Sequence, residues 1–364
     1  MSAPATGADP VSVAGAARGR AARARLLVAL SPFVALALAL AVGSLFVLAI
    51  GEHPLEIWSL MLRESLGTGY GLGQTLFKAT PLVFTGLAVA LAFRAGLFNI
   101  GVEGQLYLGG FAAALAGVAC HGLPALLAIP FCLLAAAAAG AAWGAIPGVL
   151  KARFGSHEVI NTIMLNFIAF ALVSFVGRPH FEPATVRTAD IAPAAHLARL
   201  DVLIPALRGS PANLALGLGL LLAVGVGALL FRSRLGFELR AVGWNPRAAE
   251  YGGMRVGATQ GLALALSGAI AGLGGVNFVN GYKHYFELGF SAGAGYLGIA
   301  VALMGRNHPV GVVLAALFFG ALSYGGLVVN QRVPKELVEV LQGLVILLAI
   351  GAQQVMERMA RRMR

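Results

Sequence analysis

Asn99, Glu103 and Gln105 fall close together in Phe93-Arg94-Ala95-Gly96-Leu97-Phe98-Asn99-Ile100-Gly101-Val102-Glu103-Gly104-Gln105, among glycines and between two long apolar runs. Each amide carries a paired donor and acceptor, and the carboxylate only accepts. That set suits hydroxyls or the edge of a nucleobase inside a mainly apolar cavity. A polar, glycine-rich break is tolerated at bilayer depth only where it faces protein or a water-filled space, so this one reads as a pathway or a site. A second reading stands for Glu103. A carboxylate near a helix start is stabilised by unpaired backbone N–H groups and the positive end of the helix dipole, which makes it a structural cap.

Two further polar clusters share this character. In Ser156-His157-Glu158-Val159-Ile160-Asn161-Thr162-Ile163-Met164-Leu165-Asn166, the i, i+3 and i+4 spacing puts Glu158, Asn161 and Thr162 near one helical face, and Asn166 follows about two turns on. Asn277 and Asn280, next to the glycines of Gly272-Leu-Gly-Gly-Val-Asn277, form a candidate counterpart lining the same cavity. For all of these, hydrogen bonds between neighbouring helices and close packing through small residues are the alternative to ligand contact. His157 reads as interfacial. Cys120 and Cys132 lie in or beside apolar segments with no Cys/His spacing of a metal site, so neither a disulfide framework nor a metal is expected.

A third distinctive stretch runs from Arg232 to Arg255. Asn245 as a cap and Pro246 at the first helical position predict a short helix start there, and Gly252 and Gly253 predict its end. Such a helix either lies on the lipid surface or docks into a partner's groove.

These segments need a scaffold, and composition names it. With 59% hydrophobic and 11% charged residues, and a mean hydropathy of +0.83, the chain lies far from a soluble average of about a quarter charged residues. An all-α polytopic membrane protein is expected, with about ten spans near 26–50, 75–93, 103–120, 125–150, 158–177, 212–231, 257–280, 290–304, 310–330 and 337–355. The formal charge of +11 reflects basic residues at helix ends rather than a nucleic-acid surface. Arg18, Arg20, Arg23 and Arg25 set the first span's start inside, and an even number of crossings returns Arg358, Arg361, Arg362 and Arg364 to the same side. The expected organisation is a basic, disordered cytoplasmic tail over 1–25, one membrane domain over 26–355 and a basic cytoplasmic tail over 356–364. Within the membrane domain, 178–211 is an external loop and 232–256 a cytoplasmic one. The apolar run after Arg25 is too long for a signal-peptide core of roughly 7–15 residues and reads as a retained helix.

A weak internal repeat joins the halves: Phe98-Asn-Ile-Gly101 ahead of Tyr107-Leu-Gly-Gly, and Phe286-Glu-Leu-Gly289 ahead of Tyr296-Leu-Gly-Ile. On ten spans the copies start on opposite faces, the arrangement of inverted-topology repeats with discontinuous helices. Chance similarity between glycine-rich helices is the alternative.

On these residues the chain resembles the membrane-spanning permease subunits of bacterial ABC importers for simple sugars and nucleosides, from the first helix to the tail. Phe98 to Gln105 and Glu158 to Asn166 resemble the nucleoside branch, which works with lipoprotein binding components. Asn99-Ile100-Gly101 stands where ribose-type permeases usually show Asp-Leu-Ser. Arg240-Ala241-Val242-Gly243-Trp244-Asn245-Pro246-Arg247-Ala248-Ala249-Glu250-Tyr251-Gly252 is similar to the family's coupling loop. The resemblance implies a two-permease core, often of two different chains, with two cytoplasmic ATPases and an external substrate-binding protein in the inner membrane. It makes Arg240, Gly243, Asn245, Pro246, Ala249, Glu250, Tyr251 and Gly252 the ATPase-coupling residues. Asn99, Glu103, Gln105, Glu158, Asn161, Asn166, Asn277 and Asn280 are the candidate substrate pathway. No phosphate loop occurs and none of the four lysines follows a glycine, so ATP and Mg are expected on the partner ATPase, with no cofactor and no catalysis in this chain. A nucleoside is the expected cargo. A sugar such as ribose or galactose is the alternative, and proton-coupled secondary transport through Glu103 or Glu158 is a further rival.

Overall fold

The computed structural model describes residue 34 and residues 36–362. The expected tail 1–25, most of the start of the first helix, and Arg364 lie outside them. The described residues are all-helical with no strands, only isolated β-bridges. Among the described residues, seven helices are long and apolar enough to cross a membrane, or eight if the bent pair α1 (Leu36–Ala49) and α2 (Pro54–Leu66) counts as one. The count of about ten expected from hydropathy is therefore not confirmed among these residues. The segment expected at 290–304 forms a helix only over Ala294–Met304, because residues up to Gly293 are spent on turns.

The chain divides into two compact units, 1–57 with 332–364, and 58–331. In the first, α1 buries Ala39, Gly43 and Val47 at intervals of four, and the C-terminal helix Lys335–Arg362 buries Val338, Leu341 and Val345, one apolar face in each case.

The second unit is organised around α3 (Gly69–Arg94), which is buried on all sides from Ala79 to Ala92. A helix hydrophobic all round belongs in a core. After it in the chain come α4 (Val102–Ala119), α5 (Ala125–Phe154), α6 (Glu158–Val176) and α7 (Ala215–Arg232). Two short helices follow, α8 (Arg234–Trp244) and α9 (Pro246–Tyr251). Then come α10 (Val256–Leu273), α11 (Val276–Phe278) running into a π-helical turn over Val279–Lys283, α12 (Ala294–Met304) and α13 (Pro309–Val329).

The tightest contact, between α5 and α10, is backbone on backbone. A Cβ on Gly140 would lie 2.1 Å from the Gly268 carbonyl oxygen, and one on Gly268 equally 2.1 Å from the Gly140 carbonyl oxygen. Without a hydrophobic drive between helices in lipid, such small-residue stripes supply the close packing. The opposite faces of α5, α6 and α7 display Leu126, Leu134, Phe167, Phe175 and Val224 outward, as a lipid-facing surface does.

The expected 178–211 loop is packed rather than open. Ile191, Ala195, Leu197 and Leu207 are buried, and Thr188, Ile191 and Leu197 donate backbone N–H groups to Phe286, His284 and Asn280 carbonyl oxygens at 2.8–2.9 Å. It therefore caps the segment around the π-turn.

A Gly268→Ala substitution should destabilise the protein by about 1–3 kcal/mol through overpacking. Gly217→Ala in α7, where nothing lies within 4 Å of the added methyl, should be tolerated. Thermal unfolding of detergent-purified variants checks the contrast, and equal melting temperatures would refute the backbone contact.

Candidate functional site

Between α3 and α4 the chain leaves helix for residues 95–101, turning at Gly96 with φ +74°. Asn99 fastens this break: its Oδ1 accepts from the Gly101 N–H at 3.0 Å, and its Nδ2 donates to Gln105 Oε1 and to Ser267 Oγ, each at 2.9 Å. Ser267 in turn donates to the Ala88 carbonyl at 2.7 Å. Thr162 and Asn166 of α6 grip the same loop from the other side. Ile100 N–H donates to Thr162 Oγ1 at 3.3 Å, Gly104 N–H to Asn166 Oδ1 at 2.9 Å, and Asn166 Nδ2 to the Ile100 carbonyl at 3.0 Å and the Tyr296 hydroxyl at 3.2 Å. Asn99, Gln105, Thr162, Asn166 and Ser267 are all buried.

Glu103, in the first turn of α4, is likewise buried. Its Oε1 accepts from the Ser291 hydroxyl at 2.6 Å and the Gly293 N–H at 3.2 Å, and its Oε2 accepts from the Gly295 N–H at 2.5 Å. Gly293 and Gly295 open α12, so one carboxylate serves the N-termini of two helices, its own and that of α12. Close approach is possible because position 295 has no side chain: a Cβ there would sit 2.4 Å from the Glu103 Cα. The neighbouring repeat words meet here too. Tyr107 accepts from the Gly289 N–H at 3.0 Å and packs on Phe286 and Phe290.

Of the expected pathway residues, the structure thus gathers Asn99, Glu103, Gln105 and Asn166. Asn277 and Asn280 form a separate group at the π-turn. Asn213 donates to Asn277 Oδ1 at 3.1 Å, Asn280 donates to the Ala195 carbonyl at 3.0 Å, and Asn280 Oδ1 is buried with no partner among the described residues. Glu158 and Asn161 stand apart from both: Glu158 pairs with Lys151 at 2.8 Å, and Asn161 donates to Ser156 at 2.6 Å. Beside the π-turn, His196 and His284 stack with centroids 3.7 Å apart. Burial first, and then the neighbouring His196, hold the His284 pKa below its ordinary value.

The expected coupling residues lie on α8 and α9. Asn245 caps α9, its Oδ1 accepting from the Ala248 N–H at 3.1 Å, with Pro246 first in the helix and Gly252 and Gly253 closing it. Ala249 is buried, Glu250 is exposed, and Tyr251 is 95% exposed, as is Trp244 at 93%. Arg240 lies over the Phe231 ring at 5.5 Å, sharing that ring with Arg94. Gly243 abuts the polar break itself: a Cβ there would come 2.2 Å from the Arg94 carbonyl oxygen and 2.7 Å from the Gly96 nitrogen. Among the described residues no group of three or more His, Cys, Asp or Glu could hold a metal ion.

The family described as "branched-chain amino acid transport system / permease component" matches residues 71–350. The chain belongs to this permease family. It is 42% identical to the guanosine ABC transporter permease protein NupP of Bacillus subtilis over 89% of this chain and 93% of that one. It is 38% identical to the glucose ABC transporter permease protein TsgB13 of Haloferax volcanii over 89% and 87%. It is also 34% identical to the nucleoside ABC transporter permease protein NupB of Lactococcus lactis over 87% and 89%. No solved structure matches. The protein is a multi-pass membrane permease, a transport component of an ABC importer.

In this permease Ser267, Ser291, Tyr296, Asn213 and Trp244 join the groups above, and sequence reasoning did not select them as site residues. Asn213 carried a usable signal, a capping-type residue just ahead of α7, where its Oδ1 accepts from the Ala215 N–H at 3.0 Å. The serines carried none, since only their neighbours in space make them part of the network.

Two outcomes are expected. Glu103→Gln presents an NH2 where a donor now points, so it should lower stability by about 1–3 kcal/mol, read as a fall in melting temperature. A wild-type melting temperature would show that the carboxylate does not clasp α12. For His284, the unfolded chain takes up a proton near pH ~6.5 while the folded state resists it to lower pH. Stability should therefore fall as pH drops from about 6.5 to the depressed folded value, and His284→Gln should flatten that slope in melting curves between pH 7.5 and 5.5.

Proposed function

We propose that the permease carries a nucleoside across the cytoplasmic membrane by alternating access, powered by two partner ATPases that bind ATP and Mg. What chiefly supports this reading is the 42% identity to a guanosine permease along nearly the whole of both chains. The buried amides of Asn99, Gln105 and Asn166 have the paired donors and acceptors that a base edge or ribose hydroxyls would exchange with. In the conformation described these amides bond to one another and to loop backbone, so admitting cargo means trading those bonds for bonds to cargo. Glu103, with both oxygens occupied, serves the architecture of the pathway, and Glu158 pairs with Lys151. Neither arrangement favours a proton relay.

Docking of the ATPases on α8 and α9 is the second half of the proposal. Trp244 and Tyr251 present large, rigid aromatic surface, the type of residue that anchors interfaces. Gly243, packed on Arg94 and Gly96, provides a mechanical link from the docking helices to the break that carries Asn99. Under this reading 232–256 and both tails face the cytoplasm, 178–211 faces outward toward an external substrate-binding lipoprotein, and the protein sits in the inner membrane. A paralogous second permease as partner is supported by the pairs NupP with NupQ and NupB with NupC, all four of which match this chain. A sugar cargo is favoured by one specific observation, the 38% identity to a glucose permease.

Uptake of labelled guanosine and glucose by cells carrying the complete system tests both parts. Guanosine uptake that vanishes with a hydrolysis-dead ATPase is the expected result, and glucose uptake in its place would reassign the cargo. A Trp244→Ser/Tyr251→Ser double variant should insert normally yet lose at least about tenfold in uptake, comparable to removing one or two interface anchors. Uptake at the wild-type rate would remove α8 and α9 from docking.

A further inference from the structure

A cavity of about 600 Å³ opens where α8, the Gly252–Gly253 turn and the start of α10 meet. Phe237, Met254 and Leu262 give it an apolar wall, and Arg234, Arg255 and Thr259 bring polar groups to it. Three observations point to an anion. The 18-residue α10 begins here with no side chain capping it; the Val256 N–H donates to the Met254 carbonyl at 3.1 Å, and the next two N–H groups and the positive end of the dipole are left for a ligand. Arg255, at that helix start, is exposed and forms no ion pair among the described residues, whereas Arg234 is held by Glu238 at 3.1 Å. The independent sign is Thr259. Although only 5% exposed, it lines the cavity, and its hydroxyl makes no hydrogen bond among the described residues. The hydroxyl has no protein partner among the described residues and its residue lines the cavity, so it is free to bond a ligand atom there.

We propose that this cavity binds a phosphate-bearing anion, with the phosphate at the α10 N-terminus against Arg255 and the Thr259 hydroxyl. Phe237 and Leu262, 56% and 42% exposed, continue from the cavity as apolar surface and offer a bed for hydrocarbon. The headgroup chemistry is common to an anionic phospholipid and to free phosphate. The Glu238 carboxylate is neutralised by Arg234 and leaves the net positive charge at Arg255.

Binding to the purified, fully assembled transporter separates the sources, with dioctanoyl phosphatidylglycerol, dioctanoyl phosphatidylcholine and inorganic phosphate as probes. Phosphatidylglycerol should bind, and phosphatidylcholine should not. Thr259→Val and Arg255→Gln should each weaken binding about tenfold, the size of one hydrogen bond to a charged group, while Thr259→Ser retains it. Inorganic phosphate that binds with the same sensitivity and displaces the lipid supports the site with free phosphate as its ligand. Equal binding of the two lipids without sensitivity to these variants, or no binding of either anion, overturns the proposal. Arg255→Gln, at an exposed position, keeps the test decisive if Thr259→Val assembles poorly. Because the readout is binding, the outcome is independent of which cargo the permease carries.

Discussion

A carboxylate removed from water must be answered by donors, and Glu103 is answered by three, two of them the opening N–H groups of a helix distant in sequence. This one group joins the start of α4 to the start of α12. The remaining polar architecture follows from it. Once α4 is fixed at its first turn, the chain before it has to cross 95–101 without helical hydrogen bonds, and Asn99, Thr162 and Asn166 satisfy that stretch of backbone. The break is thus held by side-chain bonds to its backbone at Ile100 and Gly101, the kind of support that irregular backbone at membrane depth requires.

Glycine sets the distances at which these groups meet. Gly295 lets α12 come against the Glu103 backbone, Gly140 and Gly268 let α5 and α10 touch main chain to main chain, and Gly243 lets α8 rest on the turn at Gly96. Contacts of this kind have no side chain to yield, so they move as a unit or separate. That property suits an element required to transmit displacement from an exposed pair of short helices to a buried amide cluster, and it links the two sets of residues within one packed body.

The helical, membrane-spanning class was legible in the hydropathy runs, and α9 was legible to the residue from Asn245, Pro246 and the glycines that end it. Those are local signals: burial period, caps and breakers act within a few residues. The count of spans was not legible, since the residues ahead of Ala294 are apolar enough to read as helix yet are bonded into turns that hold Tyr107 and Glu103. From the sequence Glu103 is only a carboxylate near a helix start, and the three donors that meet its oxygens come from residues 291–295, which no local pattern joins to it.

By itself the sequence determined which segments are apolar, where the short helix α9 begins and ends, and which polar residues are too costly in a membrane to be idle. Tertiary structure decided how those residues are partnered. Asn99, Gln105 and Asn166 converge on one loop, Asn277 and Asn280 gather around a π-turn, and Glu158 turns to Lys151, although all are amides or carboxylates in similar apolar surroundings. The reason is geometric. A hydrogen bond depends on positions within about 3 Å, set by helix packing between residues as far apart in sequence as Glu103 and Gly295, and no local pattern encodes that distance.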